Sequence, residues 1–203
     1  MKQLITALII IALAGPVLAQ VWDAPNSMGL FFSETDFSTD FTNADPASGE
    51  PFDAWIVVRW SSLQFIGGYE CSLDMPATVF VLSVGGPNGW TNFGSQTNHL
   101  VGYATPVPAH ATGHAVLAHL ELYYASPGVW ADINMLAAEP SSFGGEGPGV
   151  VDGVDLDNLQ LCRPSGYYCF SENLVATLWG DGIYCDPLAT EGLTWSSVKA
   201  VFE

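Results

Sequence analysis

Phe52-Asp53-Ala54-Trp55-Ile56-Val57-Val58-Arg59-Trp60 and, after a short connection, Ile66-Gly67-Gly68-Tyr69-Glu70-Cys71-Ser72-Leu73-Asp74 decide how this chain folds. In the first stretch Ile56, Val58 and Trp60 fall on one side and Trp55, Val57 and Arg59 on the other. In the second, Tyr69, Cys71 and Leu73 oppose Glu70, Ser72 and Asp74. A period of two with one apolar side is the pattern of a half-buried β-strand, whose side chains alternate between the two faces of a sheet.

The same reading extends outward in both directions. Ser27 to Ser33 (Met28, Leu30, Phe32) forms a short apolar segment. Thr78 to Val84 is β-branched and aromatic, and it stops at Gly85-Gly86-Pro87-Asn88-Gly89, an emphatic turn. His99–Tyr103, Ala115–Tyr124, Val129–Leu136, Val150–Leu161 and Asn173–Trp179 are the later strand candidates. Turn signals recur between them at intervals that suit a sandwich or barrel. The spacing predicts a helix only at the end of the chain. Thr194 can cap residues 194–203, with Trp195, Val198 and Phe202 on one stripe and Lys199 near the C-terminal end, where a cation is favourable. The expected fold class is therefore all-β: an antiparallel β-sandwich with a short C-terminal helix. No internal repeat is present. The glycine-rich run Phe143–Gly149 lacks the spacing of a phosphate-binding loop.

Residues 1–19 read as a secretory signal peptide. Lys2 precedes an apolar run from Leu4 to Leu13, then come Gly15 and Pro16, and Val17 and Ala19 offer small residues for cleavage before Gln20. The run falls short of the ~20 apolar residues that span a bilayer. Residues 20–203 are then expected to form one exported β-sandwich domain, placed in the periplasm, at the cell surface or in the medium. Four basic residues face 21 acidic ones, giving a formal net charge of −17. That surface repels nucleic acid and anionic lipid, which need Lys or Arg against their phosphates. It keeps an exported protein soluble and attracts cations. Aromatic residues make up 12% of the chain, too many for a disordered polymer.

Four cysteines, Cys71, Cys162, Cys169 and Cys185, form an even set in a chain read as exported, which points to two disulfides. Three pairings are open. Cys162 and Cys169 flank the turn-rich Arg163-Pro164-Ser165-Gly166, and a local bridge there would leave Cys71 with Cys185. No Cys-x-x-Cys pair marks a metal site. His110 and His114 would share a helical face, but Pro106, Pro108 and Gly113 argue against a helix. His119 and Glu121 fall on the polar side of their strand, opposite Ala118, Leu120 and Leu122. Acids crowd two regions. Glu34, Asp36, Asp40, Asp45 and Glu50 make the first. Asp152, Asp155 and Asp157, with Asn158, make the second and are the calcium candidates, although the EF-hand pattern is absent. Spacing puts Asp155 and Asp157 on one strand face, at a solvent edge. No other cofactor is expected.

No Gly-x-Ser-x-Gly elbow or Ser/His/Asp order stands out, and with 21 acids some pair will sit at glycosidase spacing by chance. The chain reads as non-enzymatic. Trp90, in Pro87-Asn88-Gly89-Trp90-Thr91-Asn92, and Tyr167 and Tyr168, between two cysteines, are the candidate binding aromatics. Such rings stack on sugars or anchor protein interfaces; the alternative is that they plug the ends of the sandwich.

The Phe52–Val58 strand, its short connection and Ile66–Leu73 resemble the opening of cohesin-like β-sandwiches, and Ala115-Val116-Leu117-Ala118-His119-Leu120-Glu121-Leu122 resembles their central strand. Thr194-Trp195-Ser196-Ser197-Val198-Lys199 is similar to a tail of uncharacterised exported bacterial proteins of this build. The resemblance implies an immunoglobulin-like, jelly-roll-related sandwich used for binding, with no catalytic residues to carry over. The four cysteines depart from typical cohesins. The expected function is an extracellular protein-binding or structural module. A carbohydrate-binding module for polysaccharide is the alternative, and a glycoside hydrolase the third reading.

Overall fold

The two stretches quoted above become β3 (Pro51–Arg59) and β4 (Phe65–Asp74), and they lie in different sheets. A computed structural model describes residues 26–38, 42–87, 89–109, 113–166 and 173–180. The residues read as signal peptide and C-terminal helix lie outside this set. None of the described elements is a helix, so none is long and apolar enough to cross a membrane.

The first sheet has five strands. β3 pairs antiparallel with β1 (Ser27–Phe31) on one side and with β8 (Ala115–Tyr124) on the other. β5 (Val79–Gly85) pairs with β8 and forms one edge; the short β12 (Arg163–Pro164) runs parallel to β1 at the other. The second sheet has eight strands. β4 pairs along one side with β7 (Asn98–Pro108), which carries β6 (Trp90–Asn92). Along its other side β4 meets β10 (Gly149–Asp152) and then β9 (Ala131–Leu136). β11 (Leu159–Leu161) flanks β10, and β13 (Leu174–Leu178) flanks β9, with β2 (Thr42–Ala44) parallel to β13.

The period of two decides what each strand buries. Ala54, Ile56 and Val58 of β3 point inward with Leu30 of β1 and Leu120 and Leu122 of β8. They meet Ile66, Tyr69, Cys71 and Leu73 of β4 and Ile133 and Met135 of β9, all in one buried cluster. Each Ile or Leu so enclosed contributes about 1.5–3 kcal/mol relative to exposure, before chain entropy is subtracted. The outer side of β3 behaves differently at its two ends. Near Arg59 it is closed: Phe31, Phe37 and Val57 form a second small cluster, and Phe37 meets Phe31 edge-on at 5.4 Å. Arg59, 5% exposed, lies 3.8 Å above the Trp60 ring. Toward Pro51 the same face is open.

Several expectations change. Val150–Leu161 is a hairpin, not one strand. Asp152 accepts hydrogen bonds from the Val154 amide (2.8 Å) and the Asn158 side chain (3.0 Å), and Asp155 accepts from the Asp157 amide (3.2 Å). The two later aspartates therefore sit in the turn and share no strand face; carboxylates that cap their own backbone favour turns over ladders. Glu70, expected on a solvated side, is buried because residues 141–143 fold over it. β2, β6 and β12 are too short for alternation to reveal.

The cysteines also depart from the expected framework. Cys71 and Cys162 are free and buried, so neither takes part in a disulfide here. Both thiols belong to the one buried core cluster. Cys169 and Cys185 lie outside the described residues.

Candidate functional site

The open half of the outer face of the five-stranded sheet is built from three neighbouring strands. Register sets its rows. Phe80 of β5 lies beside Tyr123 of β8, which pairs with Pro51 of β3. Ser83 lies beside Glu121, which pairs with Asp53; Gly85 lies beside His119, which pairs with Trp55. Because these residues alternate with the buried Val79, Leu120, Leu122 and Ala54, burying one side of each strand exposes this set on the other.

The rows are linked by short contacts. His119 Nε2 and Asp53 Oδ1 are 2.7 Å apart, with both side chains about half exposed. His119 lies over Trp55 at 5.3 Å, and Ser83 donates to Glu121 at 3.3 Å. Phe80 and Tyr123 lie 6.3 Å apart at 44°. β5 ends the sheet, so its outer edge has no strand beside it among the described residues. Alternation puts Leu82 on the face of Phe80, a bulge between Val81 and Ser83 sets Ser83 opposite Glu121 on that face as well, and Phe80 and Leu82 are 48% and 47% exposed. Apolar surface of this kind, placed beside Asp53 and Glu121, forms a patch that can desolvate against a partner and steer it by charge. The His119–Asp53 pair itself contributes little to stability, on the order of 0–1 kcal/mol, because water screens it.

The residues singled out from sequence fall elsewhere. Trp90 is half-buried in β6 and packs on the core, its ring against Gly86. Tyr167 and Tyr168 lie outside the described residues, as does His110. His114 sits edge-on to Phe37 at 5.3 Å. Asp152, Asp155 and Asp157 are brought into one turn, yet among the described residues no three His, Cys, Asp or Glu side chains are grouped to hold a metal. Sequence placed His119 and Glu121 on the polar side correctly but did not single out Phe80, Leu82, Trp55 or Tyr123. The usable signal was in Val79-Phe80-Val81-Leu82: a strand apolar on both sides has more apolar surface than one core covers.

His99 was missed altogether. It is fully buried, and its Nδ1 is 2.8 Å from the Tyr69 hydroxyl. Its Nε2 faces the Gln96 carbonyl at 2.9 Å. A carbonyl only accepts, so Nε2 carries the proton and Nδ1 accepts from Tyr69. Burial holds the His99 ring below the ordinary histidine range and pushes the Tyr69 phenol well up.

No protein-family model matches this chain, and no curated protein matches it. Among solved structures it is similar to a cohesin module of a Clostridium perfringens family 33 glycoside hydrolase (9% identity, TM-score 0.44, covering 69% of this chain and 91% of that one). It is also similar to the sixth cohesin of Acetivibrio cellulolyticus scaffoldin B, solved with a Cel5 dockerin (12%, 0.46, 76% and 98%). A third similar structure is a non-cellulosomal cohesin from the archaeon Archaeoglobus fulgidus (10%, 0.41, 75% and 89%). The similarity is to cohesin-like β-sandwiches and is one of fold alone.

Proposed function

We propose that this chain is a secreted, non-catalytic module that binds another protein through the open half of its five-stranded sheet. One observation carries the reading: Phe80 and Leu82 stand about half exposed on a sheet-edge strand, next to Tyr123 and ringed by Asp53, Glu121, Ser83 and His119. An apolar centre with a polar rim is the anatomy of a protein interface. The two carboxylates favour a partner that presents Lys or Arg.

Polysaccharide binding is the second reading, since aromatic rings are present. The rings tilt by 44° (Phe80–Tyr123), and His119 covers Trp55, so they supply no shared plane on which successive sugar rings could stack. The discriminating experiment immobilises the full chain and compares retention of exported proteins from its own source with retention on cellulose, chitin and xylan. The paired variant Phe80→Ser with Tyr123→Ser is expected to abolish protein retention, while Trp90→Ser leaves it unchanged. Retention by polysaccharide, or retention of protein that survives the paired variant, would overturn the reading.

A further inference from the structure

The second sheet carries a different feature on its own outer face. In β4, Glu70 pairs with Gly149 of β10 and Leu100 of β7, and one row on, Gly68 lies between Val151 and Gly102. Gly102 presents no side chain to this part of the sheet surface. The result is a cleft of about 250 Å³ walled by Phe93, Leu100, Val151 and Ser142, with Glu70 at its end. Phe93 closes one side; it is 77% exposed, and its ring is the nearest group to a Cβ built on Gly102, at 4.0 Å.

Glu70 is 6% exposed. Its carboxylate accepts from the Ser141 hydroxyl at 2.8 Å and from the Ser142 amide at 2.8 and 3.1 Å, all neutral donors. No cation pairs with it among the described residues, and the two described arginines, Arg59 and Arg163, both belong to the five-stranded sheet. A carboxylate has about four acceptor sites, so capacity remains beyond these donors. Taken out of water, a carboxylate is stabilised most by a countercharge.

From this geometry we infer that the cleft is a binding site for a primary ammonium or guanidinium group on a short apolar stem. The stem would lie between Phe93, Leu100 and Val151 over Gly102, and the cationic head would reach Glu70. Both a free alkylamine and the Lys or Arg side chain of a partner have this chemistry, and the net charge of −17 attracts either. The inference does not depend on the other sheet's face, which this site does not touch.

The test is titration of the full chain, labelled with nitrogen-15, with hexylammonium, with neutral 1-hexanol and with the peptide acetyl-Gly-Lys-Gly-amide, following the Gly68, Phe93 and Gly102 amides. Saturable shifts with hexylammonium are expected. Glu70→Gln keeps an oxygen for Ser141 and Ser142 and removes only the charge. It should leave the Ser142 amide in place and weaken hexylammonium at least about tenfold, which is about 1.4 kcal/mol, without affecting hexanol. Gly102→Val should block both compounds. If the peptide shifts the same amides, the head arrives on a protein side chain; if only hexylammonium does, the ligand is a free amine. Absence of saturable shifts from either cation up to about 10 mM, or equal hexylammonium affinity in Glu70→Gln, would overturn the inference, whether or not Gly102→Val folds.

Discussion

The Tyr69 hydroxyl donates to Nδ1 of His99 across 2.8 Å inside the sandwich, on the core side of a sheet whose other side carries Glu70. The ring is thereby fixed as the neutral Nε2–H tautomer, and Tyr103 stacks 6.3 Å from Tyr69 to complete the polar core. Desolvation opposes a charge on this ring; the Gln96 carbonyl favours it less strongly.

This predicts how stability varies with pH. The folded-state pKa of His99 lies below the unfolded value of about 6.5. Above that value both states are neutral and the group adds no pH dependence. As pH falls below it, the unfolded chain takes the proton first and stability drops. His99→Phe should lose about 1–3 kcal/mol near neutral pH by leaving the Tyr69 hydroxyl unpaired. It should also lose less than the parent on going to about pH 5. Urea midpoints at the two pH values measure both effects; equal acid losses in parent and variant would contradict the assignment.

The buried thiols should be inert. Burial pushes Cys71 and Cys162 far above the ordinary thiol range; for Cys71 the nearby Cys162 and Glu70 add to this. The thiolate is the reactive form. Alkylation by iodoacetamide, mapped by peptide mass spectrometry, should be at least roughly a hundredfold slower at these two positions in native protein than in denaturant.

Glycine positions in the second sheet should differ sharply. A Cβ on Gly68 would stand 2.5 Å from the Val101 carbonyl oxygen, which is backbone and cannot move aside cheaply, whereas one on Gly102 meets nothing nearer than 4.0 Å. Gly68→Ala is expected to destabilise by about 1–3 kcal/mol. Gly102→Ala should stay within about 0.5 kcal/mol of the parent. Thermal or urea unfolding of the pair is sufficient.

The two sides of the five-stranded sheet should separate stability from binding. Ile56→Ala removes a fully buried side chain from β3 and should cost about 2–5 kcal/mol. Phe80→Ser, on the open side of β5, should change stability by about 0.5 kcal/mol or less while weakening partner retention. Denaturation curves on both variants check the first half of this; the retention assay checks the second.

Much of this architecture was legible along the chain. Alternation separated Ile56 and Val58 from Trp55 and put Tyr69 and Cys71 inside, because a strand's side-chain period is fixed by backbone geometry alone; Trp60, read on the side of Ile56 and Val58, lies past the end of β3 and is partly exposed. The hairpin at Asp152–Asn158 was misread as one continuous strand, since side-chain capping of a turn leaves the local composition unchanged. Trp90 drew attention as a loop aromatic and proved to be half-buried, because whether a ring is covered depends on the strand that lies beside it.

What the sequence determined by itself is the all-β class, the place of the longer strands and the two-residue alternation along them, all local consequences of residue order. Only the tertiary structure decided which sheet each strand joined, and with it every feature proposed to bind. Phe80 meets Tyr123 through pairing between segments about forty residues apart, and Glu70 is buried by residues 141–143. Such contacts depend on which neighbours the whole chain brings together, and no short window of sequence contains that information.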